Sequence, residues 1–102
     1  MAVITITSEN FETEVIQSDK PVIIDFWADW CGPCKRLSPA VDELAEQTPT
    51  IKFGKVNVDE QQDLASRFQI MSIPTLISFL NGNVHKTSVG LVPKNAILDL
   101  VK

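Results

Sequence analysis

The sequence is poor in several features whose abundance would indicate other classes of protein. It has only two cysteines and one histidine in 102 residues, whereas a small secreted domain held by disulfides needs more cysteines, spread along the chain. No run of lysine or arginine stands out and the net charge is −4, which disfavours binding to nucleic acid or to an anionic membrane surface. The longest apolar stretches are too short to cross a membrane.

The beginning and the length of the chain give two further expectations. Residues Met1 to Thr5 do not place a basic segment before an apolar one, so we expect no secretory signal and a cytoplasmic location. The mature form of a protein that had lost a presequence would fit the same residues. A length of 102 residues with 44% apolar residues suits one domain, 1–102, with its own core, and we expect a monomer.

Hydrophobic periodicity and turn residues predict strands and helices in the order βαβαβαββα. Ser8 is expected to cap the first helix, and Asp59 with Gln62 to form a capping box before the third. Helical crossovers make the early strands parallel, and the Asn81-Gly82 turn makes the last two strands an antiparallel hairpin. The expected fold class is α/β, with a mixed central sheet of about five strands flanked by about four helices on both faces. The predicted strands are 3–7, 22–27, 51–58, 75–80 and 83–89.

The two cysteines, Cys31 and Cys34, lie between a buried strand and a helix. Residues three apart in a first helical turn share a face, so the two sulfurs can meet. The free N–H groups of the helix start favour a thiolate, most of all at Cys31, which should also be the more exposed. We therefore expect Cys31 to attack a substrate disulfide and Cys34, shielded inside the turn, to resolve the mixed disulfide.

Two other interpretations of the cysteine pair are a metal site and an incidental structural pair. Structural zinc needs four ligands, and the only histidine, His85, lies far along the chain, so a carboxylate or a second chain would have to complete the site. A c-type haem needs histidine directly after the second cysteine, where Lys35 stands. The position between strand and helix favours redox chemistry, and we expect no metal.

The residues around the cysteines identify a family. The segment Trp27-Ala28-Asp29-Trp30-Cys31-Gly32-Pro33-Cys34-Lys35 resembles the active-site signature of the thioredoxin family. The resemblance continues through Ile73-Pro74-Thr75, Asn81-Gly82 and Gly90, and it covers essentially the whole chain. It implies the thioredoxin fold, and it implies reduction of disulfides in client proteins with electrons from a thioredoxin reductase. That reductase would draw on NADPH or ferredoxin, and neither donor is expected to bind this chain as a cofactor, since it has no phosphate-binding glycine motif.

Two charged residues belong to the site that the resemblance implies. Asp25 is the only charge in an otherwise apolar strand, where a buried carboxylate is costly and tends to stay protonated. It either faces solvent or serves as the proton acceptor for Cys34, the role of the matching aspartate in the family, and we favour the second. Lys55 matches a family lysine that lies near this aspartate and tunes it. The alternative interpretation of Lys55 is a strand residue without a role in the site, whose methylene chain packs on the protein while its ammonium group reaches water.

The resemblance also implies a client-binding rim around Cys31. It implies that the Ile73–Pro74 bond is cis and faces the cysteines, so that the Ile73 backbone can pair with an extended client segment. Met71 and Ser72 stand where relatives often have glycine or arginine, a departure that concerns client preference. The expected rim is flat and mostly apolar, and the substrate-binding residues that we assign to it are Trp30, Ile73, Pro74, Gly90 and Leu91.

The spacer between the cysteines indicates the direction of the reaction. Gly32 and Pro33 carry no charge, whereas a histidine there would stabilise the thiolate and with it the reduced form. The disulfide is therefore comparatively stable and the dithiol a reductant, so we expect a protein-disulfide reductase that cycles between dithiol and disulfide. The alternative function is a binding subunit of a larger assembly that acts independently of redox chemistry.

Overall fold

Five strands form one mixed sheet, in the spatial order β1-β3-β2-β4-β5. The structure is a computed structural model that describes residues 2–102; Met1, the first residue of the predicted domain, lies outside the described residues. Strand β3 pairs in parallel with β1 and β2, and β4 pairs antiparallel with β2 and β5. The mixed five-stranded sheet predicted from the sequence is confirmed. The strands are β1 Val3–Thr5, β2 Val22–Trp27, β3 Lys52–Asn57, β4 Thr75–Leu80 and β5 Asn83–Val89.

Four helical segments connect and follow these strands, as expected. The longest, α1, has 16 residues, and within residues 2–102 no helix is both long and apolar enough to cross a membrane. A short π-helix joins β1 to β2, and a 3-10 turn continues the last helix. The four segments are the π-helix Glu12–Ile16, α1 Gly32–Gln47, α2 Gln62–Arg67 and α3 Lys94–Leu98, and the 3-10 turn Asp99–Val101 continues α3.

The sheet separates two cores, because alternate side chains of each strand point to opposite faces. On one face, Ile24 and Phe26 of β2 pack with Phe11 and Val15 of the first helical segment and with Leu64 of α2. On the other face, α1 and the C-terminal helices cover the sheet. The buried residues of that second core are Ile23, Leu37, Val41, Leu44, Ala45, Phe53, Leu76, Ile97 and Leu100.

The hairpin between β4 and β5 turns as the sequence predicts. Asn81 and Gly82 have φ angles of 53° and 80°, the left-handed values that a two-residue turn of this kind requires. A Cβ atom at Gly82 would also lie 2.7 Å from the Ile16 carbonyl oxygen. Both the backbone angle and the close approach therefore favour glycine here.

Both predicted helix caps are wrong. The Ser8 hydroxyl donates to the carboxylate of Asp63 at 2.6 Å, a partner 55 positions away that local pattern cannot reveal. The chain before the π-helix is held instead by Thr7, whose hydroxyl accepts from the Asn10 amide at 3.3 Å. At α2, the Asp59 amide donates to the side chain of Asn57 at 2.9 Å, and the helix begins only at Gln62.

Gly54 provides a test of how tightly the sheet packs. A Cβ atom at this position in β3 would lie 2.6 Å from Ile6 Cγ1 and 2.9 Å from Ile24 Cδ1, so Gly54→Ala forces the core to shift. We expect it to lower the free energy of unfolding by about 1–3 kcal/mol in urea titrations. Gly32→Ala is the control, because its added carbon would have no atom within 4 Å apart from its chain neighbours and the nearby backbone of its own helix. Equal stability of the two variants would contradict the described packing.

Candidate active site

The cysteine pair lies where β2 leads into α1. Cys31 is the N-cap residue of α1 and Cys34 lies in its first turn. Their Cα atoms are 5.3 Å apart and their sulfurs are joined in a disulfide. The Cys34 amide donates to the Cys31 sulfur at 3.2 Å. The free N–H group of Cys34 in the first turn therefore points toward the sulfur that we expect to become the attacking thiolate.

Both cysteines are largely buried. Cys31 is 4% exposed and Cys34 is 2% exposed, so the larger exposure expected of Cys31 amounts to a small difference. The two pack with Ala28, and Trp27 and Ile73 border the cluster. On either side of Cys31, Trp30 and Gly32 are exposed. A client disulfide therefore has to approach Cys31 through the surface next to these two residues.

The loop before β4 lies against the cysteines. The Ile73–Pro74 peptide bond is cis, and the Ile73 carbonyl oxygen is 3.8 Å from the Cys31 sulfur. Pro74 is buried, and its carbonyl accepts from the Gly90 amide at 2.8 Å. The structure thus brings Cys31, Ile73, Pro74 and Gly90 together. Leu91 follows with an exposed side chain, and its place in the rim stays a prediction.

An open groove of about 370 Å³ borders Trp30 and Ile73. Met71, on its edge, is 93% exposed, although apolar side chains of that size usually avoid water. The Trp30 indole N–H donates to the Asp59 carboxylate at 2.8 Å. This hydrogen bond holds the Trp30 ring in place beside the groove. The groove is lined by Trp30, Val58, Ile70, Met71, Ser72 and Ile73.

Asp25 lies in the middle of β2 with its side chain fully buried. It is 0% exposed, and neither carboxylate oxygen has a hydrogen-bond partner within residues 2–102. Desolvation by burial raises the pKa of Asp25 from 3.8 to about 7, while the charge of Lys55 lowers this pKa and that of Asp42 raises it. A carboxyl group that titrates near neutrality can accept a proton and give it back at physiological pH.

Lys55 is the register partner of Asp25 on the neighbouring strand β3. Its ammonium donates to the Ser38 hydroxyl at 3.0 Å and lies 5.0 Å from the centre of the Trp27 ring. The alternative in which Asp25 faces solvent is wrong, because its side chain is fully buried. Lys55 is half-buried and contacts groups of the protein rather than extending freely into water.

No metal site accompanies these residues in the part of the chain that the structure describes: no group of three or more His, Cys, Asp or Glu side chains there could hold a metal ion. His85, the histidine considered for zinc, lies in β5, where its Nε2 atom is 2.9 Å from the Lys102 carbonyl oxygen. The cysteine pair thus lacks the further nearby ligands that structural zinc requires.

Sequence reasoning did not single out several residues of the site. Val58 and Ile70 line the groove and were not considered, and Met71 was noted only as a departure from relatives; the three come together only when the α2–β4 loop folds beside Trp30. Ser38 was also missed, although its position four residues after Cys34, on the same face of α1, is a signal that could have drawn attention to it.

Comparison with known proteins agrees with this geometry. Residues 2–102 match the family model described as Thioredoxin. A protein named Thioredoxin from Rickettsia felis is 44% identical over 97 residues, which are 94% of this chain and 92% of the relative. Thioredoxin 1 of Synechococcus elongatus is 47% identical over 93 residues, 90% of this chain and 87% of the relative. The similarity thus extends over nearly the full length of both relatives.

Asp25→Asn should stabilise the protein at neutral pH. Below pH 3.8 the carboxyl is protonated in both the folded and the unfolded chain, so its ionisation does not lower stability there. As the pH rises from 3.8 to about 7, the unfolded chain loses its proton first, so wild-type stability falls, and the full cost applies above pH 7. The variant should gain up to about 4 kcal/mol there.

Urea unfolding of the disulfide form at pH 4 and pH 8 measures this gain. Asp42→Asn, at an exposed position of α1, is the matched control and should gain little. An Asp25→Asn gain that does not grow between pH 4 and pH 8 would be evidence against a neutral, buried carboxyl group.

Proposed function

The chain belongs to the thioredoxin family, and we propose from this premise which residues carry the reaction and with which partners. The protein is a thiol–disulfide oxidoreductase that reduces protein disulfides, and its fold is the thioredoxin fold. Members of this family work with a reductase and with clients that contain disulfides. The single observation that supports the assignment of roles most is the Cys34 amide directed at the Cys31 sulfur at the start of α1.

The first half of the proposed reaction takes place at Cys31. Its thiolate attacks one sulfur of a client disulfide, forms a Cys31–client disulfide and releases the other client sulfur as a thiolate. The Cys34 amide stabilises the Cys31 thiolate before attack. Trp30, Ile73, Pro74, Gly90 and Leu91 bind the client segment, which extends along the groove beside Ile73.

The second half is carried by Cys34. Its proton passes to the Asp25 carboxylate, and the resulting thiolate attacks the Cys31 sulfur, so that the Cys31–Cys34 disulfide forms and the second client sulfur leaves as a thiolate. The client has gained two electrons and the cysteine pair has lost them. A pKa of Asp25 near 7 supports this role, because such a group both takes up and releases a proton at neutral pH. Lys55 tunes Asp25 through its charge.

The partners and location follow from the direction of electron flow. We propose that the single domain acts as a monomer, that a thioredoxin reductase restores its dithiol, and that it binds no cofactor. The uncharged spacer Gly32-Pro33 leaves the disulfide stable relative to the dithiol and so favours reduction of clients. We place the protein in the cytoplasm, because a dithiol reductant needs a compartment that keeps thiols reduced. The alternative of a redox-independent binding subunit gains no support from the site.

Two cysteine variants test the unequal roles. Cys34→Ser should accumulate a mixed disulfide between Cys31 and a client such as insulin, because nothing resolves it, whereas Cys31→Ser should form none and lose insulin reduction. Non-reducing electrophoresis with mass spectrometry of the linked peptides measures both results. A client trapped on Cys34 of the Cys31→Ser variant in comparable yield would reverse the assignment.

Met71 tests whether the groove binds clients. Met71→Asp puts a charge on its apolar edge, and we expect the KM for a protein disulfide to rise about fivefold, equivalent to about 1 kcal/mol of lost contact, with kcat nearly unchanged. Val84→Asp is the control, since Val84 is also an exposed apolar residue but lies on β5 away from the groove. Equal KM values in the two variants would argue against client binding at Met71.

A further inference from the structure

The Lys55 ammonium has a defined position between two elements. It donates to the Ser38 hydroxyl of α1 at 3.0 Å and lies 5.0 Å from the centre of the Trp27 ring of β2. The aromatic face attracts the ammonium, and the hydroxyl adds a charge-assisted hydrogen bond. Lys55 is therefore fixed by contacts on α1 and β2, the two elements that also carry the cysteine pair and Asp25.

Ser38 lies on the face of α1 that carries the resolving cysteine. Cys34, Ser38 and Asp42 follow one another at intervals of four residues, which places them in one row along the helix. Asp25 and Lys55 lie side by side on the neighbouring strands β2 and β3. The row on α1 thus brings together the thiol that must lose a proton, the hydroxyl that holds Lys55 and a second carboxylate.

Lys55 also borders a cavity of about 320 Å³, which offers its ammonium group an alternative position. It is lined by Lys55 and by two carboxylates, Asp42 and Glu60, together with Asn57, Gln61 and other residues. Without the Ser38 hydroxyl, these carboxylates and the water that such a volume admits would attract the ammonium away from Asp25. The position of Lys55 therefore depends on its partner on α1 and not only on the length of its own side chain.

The charged and titratable groups around Asp25 come from several elements. Lys55 of β3 is the cation, Asp42 of α1 is the opposing carboxylate, and Cys34 of α1 titrates only when the disulfide is reduced. On the other side, β4 presents the apolar Leu76 as the register partner of Asp25. Within residues 2–102, neither Asp25 oxygen has a hydrogen-bond partner, so the distance of the Lys55 charge is a main control on its ionisation.

We propose that Ser38 is a positioning residue for the resolving step: its hydroxyl holds the Lys55 ammonium over the Trp27 indole, beside the buried Asp25, and keeps it from moving across the adjoining cavity toward the Asp42 and Glu60 carboxylates. This inference rests on the proposed role of Asp25 as proton acceptor for Cys34. Ser38 touches neither the client nor the reacting sulfurs. It acts by fixing how much positive charge the Asp25 carboxylate experiences when the Cys34 proton arrives.

Direct titration of Asp25 in the disulfide form tests the placement of Lys55, because no cysteine titrates there. Carboxyl ¹³C NMR from pH 4 to pH 9 gives the midpoint for wild type, Ser38→Ala and Ser38→Thr. Ser38→Ala should raise the Asp25 midpoint by about 1 pH unit, the lower end of the effect of a nearby opposite charge. Ser38→Thr keeps the hydroxyl and should keep the wild-type midpoint.

A double variant separates positioning from general structural effects. In a Lys55→Met background, Ser38→Ala should leave the Asp25 midpoint unchanged, because the cation that Ser38 holds is gone. An unchanged or lowered midpoint in Ser38→Ala alone, or the same rise in the Lys55→Met background, would overturn the proposal. Alanine is the best helix former, so failure of Ser38→Ala to fold is not expected, and a urea titration checks this.

The pH profile of client release distinguishes this proposal from the function on which it rests. The reduced protein with both cysteines is mixed rapidly with a client disulfide, and the rate at which Cys34 releases the client is measured from pH 5 to pH 9. The midpoint for Ser38→Ala should move up by the same amount as the Asp25 titration. If the Asp25 titration moves and the release profile does not, Ser38 still positions Lys55, but the proton-acceptor role of Asp25 is overturned.

Discussion

Strand β2 is buried on both faces, and each of its side chains has to serve one of the two cores. Ile24 and Phe26 fill the core beneath α2, and Ile23 fills the core beneath α1. Asp25 takes the next position on the α1 side and brings a carboxyl group without a hydrogen-bond partner. Burial of each large apolar neighbour contributes roughly 2 kcal/mol, which offsets that cost. Since β2 leads directly to Cys31, the strand that bears the buried acid also fixes the cysteine pair.

The order of strands and helices could be predicted from the sequence because it depends on local signals. Alternating apolar residues, the Asn81-Gly82 turn and the strand–CxxC–helix segment each act over a few positions. The predicted caps at Ser8 and Asp59 are wrong because their side-chain hydrogen bonds are not set by local signals. Ser8 bonds a residue 55 positions away, and polar side chains have too many possible partners for a local pattern to select one. The contact of Ser38 with Lys55 and the place of Met71 on the groove depend in the same way on contacts between distant elements.

The two charged groups beside the cysteines lie on paired strands, yet Asp25 makes no hydrogen bond to Lys55. Direct contact with a cation would hold the pKa of a carboxyl well below neutrality, and a carboxylate of that kind is a poor proton acceptor for a thiol. Without the Lys55 charge the pKa of Asp25 would be higher, and its carboxyl group would stay protonated at neutral pH. Burial raises the pKa of Asp25, the Lys55 charge lowers it and the Asp42 charge raises it, and together they place it at about 7, where acceptance and release of a proton are both accessible.

The disulfide closes a ring of only four residues, from Cys31 to Cys34, at the start of a helix that other contacts already hold. Cross-linking so short a segment restrains the unfolded chain by about 2 kcal/mol, against nearly 5 kcal/mol for a loop of a hundred residues. Reduction of the pair therefore removes less stability than opening a disulfide across a long loop would. The cysteine pair can therefore be reduced and oxidised repeatedly while the fold around it is held by other contacts, as repeated electron transfer requires.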